Sequence, residues 1–143
     1  MALSNDRQID LRNIQLECLG QHPVDASVKI YSGAKVGKNP TTGLARPLQG
    51  GDKFLGIAYE QVDNSSGAAS ALNVKLRKGA TVRETVTGVS APGDVTKLVY
   101  ATADDTLTLT AANASLVGAV DEHISGTSCF VSYFTPAELA AAL

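Results

Sequence analysis

The chain has 143 residues, of which 44% are apolar, 18% charged and 5% aromatic, with a formal net charge of −2. A chain this long can bury roughly two thirds of the surface it exposes when unfolded, so folding requires neither a disulfide nor a metal, and its sparse charge predicts a surface built from Ser, Thr, Asn, Gly and Ala. The charge balance argues against an autonomous nucleic-acid binder, and no apolar run reaches the 18 or more residues of a membrane span.

Asp6, Arg7, Asp10 and Arg12 stand where a signal peptide would carry its apolar core, so the expectation is a soluble chain that stays where it is made. Residues 1–23 read as an N-terminal arm and first strand, in which Ile14, Leu16 and Cys18 alternate with Gln15, Glu17 and Leu19. His22-Pro23 reads as a turn. Residues 24–143 read as a β-rich domain that opens with Val28 and Ile30 alternating against Lys29 and Tyr31. From Gly33 to Asp52 the alternation gives way to Gly, Lys, Asn, Pro and Thr, which predicts a long loop at 33–52. A loop of that length in a compact domain is usually functional, so it joins the arm as a contact segment.

Strand character returns over Phe54 to Glu60, stops at Asp63-Asn64-Ser65-Ser66-Gly67, and resumes where Leu72, Val74 and Leu76 alternate with Asn73, Lys75 and Arg77. Lys78-Gly79-Ala80 predicts a hairpin into Thr81 to Val86, with Leu76 opposite Val82 and Lys75 opposite Arg83. Two like charges side by side cost stability unless an acidic partner lies there. Ala91-Pro92-Gly93-Asp94 is a turn, followed by strands at Lys97 to Ala101, Thr106 to Thr110, Leu116 to Val120 and Ser128 to Phe134. Turns every eight to twelve residues predict a single-domain all-β fold, a β-sandwich or jelly-roll-like barrel.

The expected core is Leu16, Val28, Ile30, Phe54, Ile57, Val74, Leu76, Val82, Val86, Val99, Leu107, Leu109, Val117, Val120, Phe130 and Tyr133 or Phe134. A short C-terminal helix follows Thr135-Pro136-Ala137-Glu138, where Thr caps, Pro suits the first helical position and Glu closes a capping box. Too short to stand alone, it must pack on the sheet or on a neighbouring subunit.

Charge is uneven along the chain. Residues 26–83 carry nine basic and three acidic groups, and residues 84–143 carry one basic and seven acidic groups. The split produces either a basic surface beside an acidic one or, if strands of the two halves interleave, local neutralisation.

No constellation of reactive groups emerges. Gly33-Ala34-Lys35-Val36-Gly37-Lys38 has its glycines one residue too close for a phosphate-binding loop, and Asn39 stands where Ser or Thr would hold the metal. His22 and His123 are isolated, and Asp121, Glu122 and His123 alternate across the faces of a strand, which cannot converge on zinc. No nucleophile elbow or cysteine-protease signature is present. Cys18 and Cys129 read as small buried hydrophobes. Catalytic, cofactor and metal sites are therefore expected to be none.

Gly51-Asp52-Lys53-Phe54-Leu55-Gly56-Ile57-Ala58, then Asp63-Asn64 with Gly67-Ala68-Ala69 and the Val74 to Gly79 segment, form an ordered set of turns and strand cores. Val99-Tyr100-Ala101, Asp104-Asp105-Thr106-Leu107-Thr108, Leu116-Val117-Gly118-Ala119-Val120 and Gly126 before Cys129-Phe130-Val131 continue it. Gly56 and Gly118 interrupt strands where a bulge or a close backbone approach fits. Across residues 24–136 this set resembles the capsid decoration, or cement, proteins of tailed bacteriophages.

The resemblance implies a non-enzymatic structural protein of the virion, made in the host cytoplasm. It would bind the outer surface of the phage head and clamp neighbouring major capsid subunits for capsid stabilisation. Its partners would be the major capsid protein and further copies of itself in a homo-oligomer, a dimer or trimer, with no direct nucleic acid and no membrane. Expected capsid or subunit contacts are Asp6, Arg7 and Arg12 in the arm, Lys35, Lys38 and Arg46 in the loop, Lys53 beside it, and a basic stripe of Lys75, Arg77 and Arg83. The alternative is a carbohydrate-binding or adhesion module on a virion or cell surface, which needs exposed aromatic rings to stack on sugars. The chain has no Trp, four Tyr and three Phe, most of them in apolar strand runs.

Overall fold

Lys78-Gly79-Ala80 divides two strand systems in the computed structural model, which describes residues 19–143. Before the division lie β1 (Leu19–Pro23), β2 (Val28–Ile30), β3 (Lys35–Lys38), β4 (Ala45–Pro47), β5 (Lys53–Ala58), β6 (Val62–Asn64) and β7 (Asn73–Arg77). They form an antiparallel sheet in the order β1-β7-β5-β3-β4 and a two-stranded sheet of β2 with β6. After it lie β8 (Thr81–Thr87), β9 (Leu98–Ala103), β10 (Thr106–Thr108), β11 (Ser115–Ser125) and β12 (Ser128–Tyr133). These close into a barrel in the order β9-β10-β8-β12-β11, with β10 and β8 its parallel pair. The fold is all-β with one short C-terminal helix, the class that the alternating pattern predicts.

Each body has an apolar centre. Val24, Ile30, Val36, Ala45, Val74 and Leu76 pack together under one face of the sheet. Val86, Val99, Leu107, Val117, Val120, Cys129, Val131 and Tyr133 fill the barrel. Phe54 and Ile57 of β5 belong to the barrel's cluster although they sit on the sheet. Strand alternation would send two residues three apart to opposite faces. A β-bulge resolves this: Val36 lies opposite Gly56 but Gly37 lies opposite Phe54, so Leu55 is the extra residue and both Phe54 and Ile57 face the barrel. Gly56 carries the bulge with φ +154, and a Cβ there would lie 2.9 Å from the Arg77 carbonyl oxygen. Gly118 sits at the corresponding irregularity between β9 and β11, where a Cβ would lie 2.3 Å from the Ser132 carbonyl oxygen.

Of the expected core, Ile30, Phe54, Ile57, Val74, Leu76, Val86, Val99, Leu107, Val117, Val120 and Tyr133 are buried, whereas Val28, Val82, Leu109, Phe130 and Phe134 are half-buried. Leu16, with the first-strand positions Ile14 and Cys18, lies outside the described residues. The terminal helix α1 (Pro136–Ala142) has its capping box: Thr135 Oγ1 accepts from the Glu138 N–H and Glu138 Oε1 accepts from the Thr135 N–H. Its Leu139 is buried in the barrel's cluster.

Four expectations need correction. The stretch 33–52 is not a loop, because it contains β3 and β4. Their polar sequence hides them: Lys35 is buried by an acidic partner, and the connecting turn is held by side chains, with Asn39 and Thr42 both donating to Asp25. His22-Pro23 ends β1 and makes no turn. The stop at Asp63-Asn64 is instead the end of β6, where the buried Asn64 amide donates to the Asp25 and Ala68 carbonyls. The β7–β8 hairpin does not form, since β7 is already flanked by β1 and β5, and β8 by β12 and β10. Pairing β7 with β8 would sacrifice barrel closure and expose an edge.

Candidate interaction surface

The ten expected contact residues separate into groups with different roles. Asp6, Arg7 and Arg12 lie outside the described residues. Lys35 is a joint between the two bodies and is not available for docking. Its side chain is 7% exposed, and its ammonium lies 3.2 Å from Glu84 Oε2 on the barrel. The same oxygen accepts from the Tyr133 hydroxyl, whose ring packs against Phe54 with centroids 5.6 Å apart. Burial, reinforced by the Glu84 carboxylate, pushes the Tyr133 phenol well above its ordinary range. Lys35 shares its register position with Ile57, on the sheet face that meets the barrel, which explains why a lysine here is internal.

Arg46 is likewise occupied. Its Nε and Nη2 donate to Asp52 at 3.0 and 2.8 Å, a bidentate pair, and Asp52 also accepts the Gln49 N–H. The Asp52 side chain is 1% exposed, and Gly37 leaves it room, since a Cβ there would lie 2.7 Å from the carboxyl group. Fork geometry of this kind fixes orientation as well as adding energy. The pair pins the corner between β4 and β5.

Lys38 and Lys53 remain at the surface. They are register partners across β3 and β5, both exposed, and neither ammonium meets a carboxylate among the described residues. The like-charge pair that the sequence predicts at Lys75 and Arg83 does not form, whereas Lys38 and Lys53 make one that the sequence pattern does not foresee. Lys75 is opposite Gln21 on β1, whereas Arg83 is on the barrel opposite Phe130 and donates from Nε to Ser128 Oγ. The stripe Lys75, Arg77 and Arg83 is split between two bodies.

Lys75 and Arg77 belong to a second surface at the β1 side of the sheet. Arg77 is paired with Leu19, and its guanidinium lies 5.2 Å from the centre of the Tyr59 ring. Lys29 stands 5.0 Å from the Tyr31 ring centre. The Gly33 N–H and the Ser32 hydroxyl donate to the Ala58 and Tyr59 carbonyls, which sets the Tyr31 turn beside the Tyr59 turn. Tyr31, Tyr59 and Leu19 are 57%, 46% and 39% exposed, an unusual concentration of apolar surface in a chain with few aromatics. The sequence pattern sets Tyr31 beside Lys29 in the alternation against Val28 and Ile30 and Tyr59 within the strand Phe54 to Glu60, and singles out neither as a contact. The available signal was position, since each directly follows the last residue of a strand and precedes a polar turn.

The charge split coincides with the split in architecture. Residues 19–80, the sheet body, carry eight basic and four acidic groups, and residues 81–143, the barrel and helix, carry two basic and seven acidic groups. The strands of the two halves do not interleave, and among the described residues Lys35 with Glu84 is the ion pair that joins them. His22 and His123 bond the carbonyl oxygens of Gly43 and Gly126. Cys129 is buried, as its alternation predicts, and burial pushes its thiol up. Cys18 lies outside the described residues. No protein-family model and no curated protein matches the chain.

Proposed function

We propose that this chain is a non-enzymatic structural protein that binds the outer surface of a tailed-phage head and cements neighbouring major capsid subunits. The observation that carries the reading is the Lys38–Lys53 pair. Directly opposed like charges destabilise a sheet, and an acidic partner surface would neutralise both members of this pair on two adjacent strands. Leu19, the first described residue, is paired with Arg77 on the same basic body. Exposed ion pairs contribute only about 0.2–1 kcal/mol each and are screened by salt. Charge then steers docking, while apolar burial and repeated attachment to a symmetric lattice hold the shell. The Lys38→Glu, Lys53→Glu double variant should decorate heads less, with the larger deficit at low ionic strength. Unchanged occupancy at low salt would overturn the reading.

Exposure of Tyr31 and Tyr59 favours a second reading, a carbohydrate-binding or adhesion module. Against it, Lys29 and Arg77 already lie over those rings, leaving less free aromatic face for a sugar. Binding on a glycan array that Tyr31→Ala and Tyr59→Ala abolish would select this alternative.

A further inference from the structure

The β1 side of the sheet and the outer wall of the barrel are complementary surfaces on one molecule. On the sheet, Tyr31 and Tyr59 form an exposed apolar centre flanked by Lys29, Lys75 and Arg77, of which Lys29 and Lys75 are paired with Asp63 and Glu60. On the barrel, Leu98 is 41% exposed and lies opposite Ala119. Beyond it the Val120 carbonyl accepts from the Thr96 N–H, and Asp121 and Glu122 follow, both exposed. A bulge between Val120 and Glu122 makes Asp121 the extra residue, so this acidic corner stands at an irregularity of the barrel wall.

The geometry points to a head-to-tail contact in which the Tyr31–Tyr59 face of one copy docks on the Leu98–Asp121 wall of a second copy of this chain. Three observations commit the face to a copy of itself. Each patch has an apolar centre, each has a charged rim, and the rims are opposite in sign on bodies that are oppositely charged as wholes. Among the described residues Arg77 is the sheet-patch cation that meets no carboxylate, whereas Asp121 and Glu122 stand exposed on the barrel wall, so the pairing that gains most sets sheet against barrel. The contact is therefore heterologous, closing into a ring or extending as a chain. Cation-stacked tyrosines suit such a surface, since each offers a large apolar area at low entropy cost while its cation reaches the partner's carboxylates.

Sedimentation velocity on the purified full chain tests this without any capsid, so its outcome is independent of the cementing role. The wild type should sediment above the monomer mass at low salt and move towards it at high salt. Two charge reversals, Lys75→Glu with Arg77→Glu and Asp121→Lys with Glu122→Lys, should each give monomers with unchanged circular dichroism, because all four side chains sit at the surface. Mixing the two variants should restore association, since the acidified sheet face of one then meets the basic barrel wall of the other. A wild type that stays monomeric up to ~100 µM would overturn the contact, as would reversals that leave the mass unchanged or a mixture that stays monomeric. In the last case the sheet face has another occupant, such as the chain's own residues 1–18.

Discussion

Lys35 on the sheet and Glu84 on the barrel meet at 3.2 Å, and the Tyr133 hydroxyl donates to the same carboxylate oxygen. This three-group contact crosses the seam between oppositely charged bodies, where the Gly51 N–H also donates to Ser115 Oγ, Ser115 Oγ to the Gln49 carbonyl and the Lys35 N–H to the Asp104 carbonyl. Removing one member of a buried pair leaves the other charge uncompensated, at a cost of about 3–5 kcal/mol, whereas replacing both is far milder. Glu84 is 19% exposed, which places the expected cost near the lower end of that range. Urea denaturation of Lys35→Met should show a loss of about 3 kcal/mol, and Lys35→Met with Glu84→Gln should recover much of it. A loss below about 0.5 kcal/mol in the single variant would show that the contact is no more than a surface ion pair.

Gly56 is where the sheet is kinked to supply Phe54 and Ile57 to the barrel. A side chain there meets the Arg77 carbonyl oxygen at 2.9 Å in a backbone conformation, φ +154, that L-residues rarely adopt. Gly56→Ala should destabilise by about 1–3 kcal/mol, in the range of stored backbone strain. A thermal midpoint equal to that of the wild type would remove the bulge from the account.

The terminal helix has seven residues and cannot stand alone in water. Its docking depends on Leu139 and on the capping box. Thr135→Ala should cost about 1 kcal/mol, the usual worth of an N-cap, and lower the thermal midpoint by a few degrees. Unchanged stability would mean that the cap is formed but energetically idle.

Asp94 accepts from Lys97 Nζ and from the Ser90 and Ala91 N–H groups, and these donors hold its carboxyl down at about 2. A carboxyl whose folded value is depressed stabilises the fold fully above its unfolded value of about 3.9, and that contribution is lost as pH falls towards the folded value. The stability difference between wild type and Asp94→Asn should thus be constant near neutrality and shrink between about pH 4 and pH 2. A difference independent of pH across that window would contradict the assignment.

Legibility in the sequence followed the physics of each element. Strands with clean two-residue alternation, such as β7 and β12, could be read directly, as could the Thr135 cap, because their determinants are local. β3 and β4 could not, since Lys35 and Arg46 imitate a solvated loop until Glu84 and Asp52 arrive from elsewhere in the chain. The same two residues show why the candidate contacts were only partly legible. A lysine's charge is visible in sequence, but whether a carboxylate on another strand consumes it is a property of topology. Lys38 and Lys53 acquire meaning only once β3 and β5 are known to be neighbours, and the separation of Lys75 from Arg83 depends on a strand pairing that local turn chemistry at Lys78-Gly79-Ala80 misassigns.

The proposed cementing role is tested most directly by mixing the purified chain with undecorated heads of a tailed phage whose genome carries this sequence and counting bound copies by co-sedimentation and cryo-electron microscopy. The account predicts saturable binding at symmetry-repeated positions on the outer surface, with the sheet body and its Lys38–Lys53 pair turned towards the shell, and heads that resist heat or loss of divalent cation better than bare ones. Heads that bind no chain at low salt, or that bind it through the barrel with the sheet body facing solvent, would contradict it.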